Sequence, residues 1–241
     1  MQIPEQSFMP ATDKRIFVIT GHYGSGKTEY AVSLAMLAAE RGFFGYPRAA
    51  LADLDYINPY FRSRERMAML EKAGVRVYGS SFRSTGITAE LPDFDASVRA
   101  PLDDEGAFLL LDIGGNDAGA RILHQFADYF TRGRHVHLCV VNGNRYETRD
   151  PASAAEQISA IETETGLPVD GVINNTHLLA ETSPQDVIRG HGLCLEVCRM
   201  LQKPLWCDCY PRRLVRREDL PPDWEHVMPL GMYMRETWLD K

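Results

Sequence analysis

Hydrophobic positions fall along the chain in short unbroken runs rather than in strict alternation. They occur at Arg15–Thr20, Ala49–Asp53, Val75–Tyr78, Phe108–Asp112, Val136–Val141, Val169–Asn174 and Pro204–Cys209. A short continuous run reads as a strand buried on both faces, the habit of parallel sheets. Between the runs lie segments rich in helix formers: Lys27–Glu40, Ser63–Lys72, Asp117–Phe130, Pro151–Thr165 and Pro184–Leu201. Strand and helix in alternation predict an α/β fold, a mostly parallel central sheet with helices on both faces in three layers. The segment Arg83–Glu105 is less periodic, with a short helix expected near Asp95. The polar, proline-containing opening predicts a flexible arm over residues 1–13, followed by a single domain over 14–241.

Composition adds limits rather than identity. The 241 residues are 44% hydrophobic and 24% charged, ordinary values for a folded domain. A net charge of −7 argues against a surface that coats nucleic acid. Residues 1–13 lack the apolar core of a signal peptide, and no stretch approaches the ~18 apolar residues of a membrane span. With five cysteines in no secreted-domain pattern, the expected setting is a reducing cytoplasm, away from membranes.

The chemistry begins where the first strand stops. Gly21-His22-Tyr23-Gly24-Ser25-Gly26-Lys27-Thr28 fits G-x-x-x-x-G-K-S/T at every fixed position, between a strand pattern and a helix pattern. Glycines let the loop curl so that successive N–H groups face phosphate oxygens. Lys27 adds a positive charge, Thr28 a hydroxyl for Mg²⁺, and the helix beginning there directs its positive end at the same anion. The loop predicts a nucleotide triphosphate with Mg²⁺ as the ligand.

Two more runs end in aspartate, at Asp53 (followed by Asp55) and at Asp112. In an open parallel sheet ligands lie at the carboxyl ends of strands, so these carboxylates can reach a metal or orient water. Asp112 has the Walker B arrangement, continuing into Gly114-Gly115. The alternative is that such aspartates cap a following turn.

These elements together resemble the CobQ/CobB/MinD/ParA group of P-loop ATPases, of SIMIBI type, which includes the nitrogenase iron protein. The likeness runs from about Lys14 to Arg212. The stretches Gly21–Thr28, Asp53–Arg62 and Asp112–Gly119 also look like a less-characterised bacterial branch labelled only as nucleotide-binding. The resemblance implies that Asp55 positions the hydrolytic water and that Asp53 steadies the Mg²⁺ hydration shell. It makes Asp112 the Walker B residue and puts Gly115 in switch II. In Gly171-Val172-Ile173-Asn174-Asn175 it implies Asn175 as the adenine-contacting amide, with Asn174 the alternative. Cys209-Tyr210-Pro211-Arg212 resembles the loop that closes over the base. One position departs from the pattern: ParA-type ATPases carry a lysine directly after the first glycine, which contacts the neighbouring subunit's nucleotide, and here that residue is His22. A homodimer stays open, but catalysis shared across it is not implied.

Base choice has its own clue, because the guanine-reading N/T-K-x-D tetrapeptide is absent from the chain. The expectation is therefore ATP, hydrolysed with Mg²⁺ as a slow switch acting on an unknown protein partner. The alternatives are a kinase or ligase acting on a small metabolite, resembling dethiobiotin synthetase, and a nucleotide-binding scaffold with negligible turnover.

Weaker signals remain. Cys194, Cys198, Cys207 and Cys209 place four thiols in a short span, where a metal site competes with ordinary buried cysteine. His135 and His137 share a strand face. Asn142-Gly143-Asn144-Arg145 ends a strand and is placed to face a nucleotide or substrate. The cluster Arg212, Arg213, Arg216 and Arg217 reads chiefly as a solvated face.

Overall fold

The computed structural model describes residues 8–54, 66–79, 99–114, 122–130 and 133–235. Eight strands form one sheet: β1 (Ile16–Thr20), β2 (Arg48–Leu54), β3 (Val75–Gly79), β4 (Ala107–Ile113), β5 (His135–Val141), β6 (Gly171–Asn174), β7 (Leu205–Pro211) and β8 (Val227–Leu230). Their order is β3-β2-β4-β1-β5-β6-β7-β8, and every described pairing is parallel. The expected α/β architecture is the one found. All strands therefore end along the same edge, with β1 near the middle.

Side-chain alternation divides the core between the two faces. From β1, Phe17 and Ile19 point into a cluster with Leu34, Phe108 and Leu138, while Ile16 and Val18 join Leu109, Leu111 and Phe126 on the other side. A third cluster unites Cys139 and Val141 with Ile158, Cys194 and Val197. Burial on both faces is the reason for the continuous apolar runs.

The helices are α1 (Lys27–Glu40), α2 (Met67–Lys72), α3 (Ala127–Phe130), α4 (Pro151–Thr165) and α5 (Pro184–Leu201). Residues 99–103 are also helical; the helix expected near Asp95 falls outside the described residues. Nine of the fourteen residues of α1 are buried, so its alanines and leucines meet protein on nearly every side. Asp150 caps α4 by accepting from Ser153 N at 3.0 Å, with Pro151 at the first helical position and Gly166 ending it at φ 67°. Ser183 and Asp186 form a reciprocal capping box on α5. Burial opposes charge on Asp186, yet its bonds from Ser183 and Arg189 prevail and hold the carboxyl at about 2.

Strand β8 was not legible in the sequence pattern. It has four residues, one of them Pro229, and it lies at the sheet edge. An edge strand tolerates proline because one of its sides needs no ladder bond. Among the described residues no helix is long and apolar enough to cross a membrane.

Beneath the phosphate loop sits a buried imidazole. His137 Nε2 lies 2.8 Å from Thr20 Oγ1 and Nδ1 lies 3.2 Å from the carbonyl of Pro168. The carbonyl only accepts, so Nδ1 carries the proton and Nε2 accepts from the threonine hydroxyl. Burial lowers the pKa of His137 to about 4. Because the folded value lies below the unfolded value of about 6.5, stability is intact above that pH. It is lost as pH falls from there toward 4, where the unfolded chain binds a proton that the fold refuses. Urea denaturation at pH 7.5 and pH 4.5 should show the wild type losing about 2–3 kcal/mol more than His137→Gln. Parallel losses in the two proteins would contradict this account of the histidine.

Candidate functional site

The loop from Gly21 to Gly26 leaves the end of β1 and delivers the chain into α1. Gly24 and Gly26 take φ of 76° and 87°, in the left-handed region where a side chain is strained. Gly26 has a second reason to be glycine: a Cβ there would collide with the side-chain amide of Asn175. That amide donates from Nδ2 to the Ser25 carbonyl at 2.8 Å and fastens the loop to the end of β6. Ser25 N closes the turn onto His22 O at 3.0 Å. Among the described residues no side chain caps the N-terminus of α1, so its first amides face no capping group there and suit an anion. Ser25 Oγ is buried without a hydrogen-bond partner among the described residues, and Lys27 and Thr28 are both buried in the first turn. A cradle of open amides with a lysine and a hydroxyl suits a polyphosphate.

The acidic residues converge on the same edge. Register places Asp53 of β2 directly beside Asp112 of β4, and Asp112 beside Ile19 of β1, two residues before Gly21. Register neighbours in a parallel sheet project to the same side. Both carboxylates are buried, at 2% and 0% exposure. Thr28, Asp53 and Asp112 thus have the chemistry of a hard-cation site with oxygen ligands. Asp55 and Gly115 lie outside the described residues.

On the other side of the loop a cleft of about 170 Å³ opens. Its floor is Gly24, Gly26, Lys27 and Thr28; one flank is Asn175, His177, Leu179 and Thr182; the opposite wall is Pro211, Leu230, Met232 and Met234. Leu179 and Met232 hold φ of 60° and 55°, unusual for residues with side chains. Glu29, directly after Thr28, fixes the wall. Its carboxylate accepts from Tyr233 N at 2.9 Å, Met234 N at 2.8 Å and Ser33 Oγ at 2.9 Å. Burial raises its pKa above the ordinary value in spite of those bonds.

Of the residues expected to read the base, Asn175 and Pro211 line the cleft. Asn174 faces elsewhere: it is fully buried and donates to Asp208 Oδ1 at 2.7 Å and Val187 O at 3.0 Å. Arg212 is not among the cleft's lining residues. Its Nη2 donates to Tyr233 Oη at 3.2 Å, bracing the wall from behind. His22 turns its Nδ1 toward Tyr23 O at 3.0 Å and stands 3.8 Å from Glu147. Within the Asn142–Arg145 run expected to face a nucleotide or substrate, one side chain belongs here: Arg145 lines the cleft and donates from Nε to Gly24 O at 2.9 Å. Its signal was the polar run at the end of β5, which marks a strand end but not which side chain turns inward.

The remaining candidates are engaged elsewhere. Cys207 and Cys209 pack in the α1-side core, and Cys194 and Cys198 in the cluster across the sheet. All are free thiols, with burial raising Cys194 and Cys209 and taking Cys198 to about 11. Among the described residues no group of three or more His, Cys, Asp or Glu is placed to hold a metal. Arg216 pairs with Asp219 and Glu218, and Arg217 donates to backbone carbonyls.

No protein-family model and no curated protein matches the sequence. Solved structures do. The cell division protein FtsY of Thermotoga maritima superposes with a TM-score of 0.51 at 20% identity, over 85% of this chain and 64% of that one. The signal recognition particle receptor FtsY of Elizabethkingia anophelis gives 0.53 at 17%, over 83% and 60%. The signal recognition particle 54 kDa protein of Aeropyrum pernix, solved with GDP, gives 0.51 at 21%, over 85% and 42%. The chain spans less than two thirds of the length of each of these proteins. The likeness is one of fold, the α/β fold of P-loop NTPases.

The clamp at Glu29 has a measurable consequence. Glu29→Ala strips two buried N–H groups and one hydroxyl of their acceptor, each orphan costing about 1–3 kcal/mol. A loss of at least about 2 kcal/mol in urea denaturation is expected, with faster hydrogen exchange at Tyr233 and Met234. Unchanged exchange there would show that the wall is held by other contacts.

Proposed function

We propose that the chain is a Mg-ATP-binding P-loop ATPase that works as a slow nucleotide-dependent switch on a protein partner. The observation that carries this reading is the uncapped, glycine-shaped loop at the head of α1, with Lys27 and Thr28 in its first turn. The phosphates lie on the loop amides, Lys27 supplies a charge-assisted contact, and Thr28, Asp112 and Asp53 hold the Mg²⁺. The metal's contribution is to neutralise phosphate charge during transfer. Asp55, as the family resemblance implies, orients the attacking water.

The base-side cleft supports adenine. Reading guanine calls for an acceptor carboxylate opposite its ring N–H and amino group. The only carboxylate lining the cleft among the described residues is Glu29, and it is occupied by the backbone of Tyr233 and Met234. What remains is amide and imidazole chemistry at Asn175 and His177 between apolar walls, a setting for a flat base with one or two hydrogen-bonding edges.

Calorimetric titration with Mg²⁺ present should show ATP and ADP binding, with GTP much weaker. GTP equal to or tighter than ATP would defeat the adenine assignment. Lys27→Ala should weaken ATP by ~1.5–3 kcal/mol, the worth of a hydrogen bond to a charged group. An unchanged ATP affinity in that variant would remove the phosphate-loop reading.

Asp55→Asn separates binding from chemistry. It should leave ATP affinity near the wild-type value while hydrolysis, followed as phosphate release, falls by roughly 100-fold or more, the lower end of the scale for a lost general base. Wild-type turnover in the variant would assign water orientation to another group.

A further inference from the structure

The loop that follows β5 is built as a socket. Asn142 Oδ1 accepts from Asn144 N at 3.0 Å and from His177 N at 3.3 Å, and its carbonyl accepts from Arg145 N at 3.0 Å and Thr148 Oγ1 at 2.6 Å. Gly143 N donates to Thr176 Oγ1 at 3.0 Å, joining the socket to the end of β6. From this base Arg145 extends over the phosphate loop. Its guanidinium is packed so closely on Gly24 that a Cβ there would come within 2.9 Å of Cζ.

Several arginines have their charge answered by a carboxylate, while Arg15 and Arg217 donate to sets of backbone carbonyls. Arg48 meets Asp104, Arg189 meets Asp186, and Arg216 meets Asp219. Arg145 has no carboxylate partner among the described residues, its one described side-chain bond being Nε to Gly24 O. The nearest acidic residue in sequence, Glu147, faces His22 instead. A half-buried guanidinium held in place, without a carboxylate counter-ion among the described residues, beside a nest of loop amides is complementary to an anion lying on that loop.

We propose that Arg145 is a polyphosphate-binding residue, supplied by the same chain, whose guanidinium covers the phosphates from the side opposite Asp53 and Asp112. This rests on the phosphate-loop reading above and adds to it a cation that the G-x-x-x-x-G-K-S/T pattern does not contain. It also gives a chain with histidine at position 22 a positive group of its own above the loop. Nε stays on the Gly24 carbonyl and fixes the direction of the guanidinium, leaving the two Nη groups for phosphate oxygens.

Arg145→Gln tests the charge, because glutamine keeps an N–H donor but carries no charge; Arg145→Lys keeps the charge and loses the fork. Binding of ATP, ADP, inorganic pyrophosphate and adenosine to the full chain would be measured by calorimetry. The expected result is a roughly 10- to 100-fold loss of affinity for ATP, ADP and pyrophosphate in Arg145→Gln, as for a lost charge-assisted bond. Adenosine binding should fall far less than ATP binding, and Arg145→Lys should recover part of the phosphate affinity. Wild-type ATP and pyrophosphate affinities in Arg145→Gln would overturn the proposal, as would a loss equal for adenosine and ATP. Pyrophosphate keeps the two readings apart: wild-type preference for GTP would defeat the adenine assignment while leaving an effect of Arg145 on pyrophosphate in place.

Discussion

Because the strands run in one direction, their carboxyl ends share an edge, and that alignment governs where polar chemistry can collect. Away from this edge the strands are buried on both faces and admit few groups other than apolar ones. At the edge the chain must leave the sheet, and backbone groups that no ladder satisfies have to be met by side chains. Gly21, Asp53, Asp112, Asn142, Asn175 and Pro211 all stand at or beside such exits. Their meeting follows from strand direction and register rather than from nearness in sequence.

What shapes the site further is a set of polar bolts between neighbouring exits. Asn175 and Arg145 both donate to carbonyls of the phosphate loop, from β6 and β5 respectively, while Glu29 draws the segment after β8 against the first turn of α1. Each bolt uses a group that would be costly to bury unpaired. The loop therefore keeps its outline through contacts made to its carbonyls. His177 and Asn142 extend the same scheme, coupling the β5 and β6 exits through one side-chain oxygen.

Much of this was legible in the chain, for identifiable reasons. The bounds of α1, α4 and α5 follow from glycine, proline and capping residues at their ends, which act locally and so can be read locally. The phosphate loop is similarly self-contained, since its glycines, lysine and threonine are contiguous. Strand β8 lacked a local signal because Pro229 contradicts a strand except at an edge, and edge position is a property of the whole sheet. Where Asn174 and Asn175 point depends on the alternation of β6 at its last residue, which turns one amide to Asp208 and the next to Ser25. Four cysteines close in sequence proved to belong to cores on opposite faces, a separation that spacing alone does not reveal. Arg145 stood in a polar run with several side chains able to face inward, and only its bond to Gly24 singles it out.

The burial of α1 bears on how any signal leaves the site. A helix enclosed on nearly every side has no room to slide or rotate without opening the core, so it acts as a fixed pedestal. Its terminal amides are already aimed, and a ligand settling on them spends little of its binding energy on ordering the protein. That energy is left for whatever is less firmly held. The frame beneath the loop is accordingly set before anything settles on it, and a ligand there would meet a stationary surface rather than shape one.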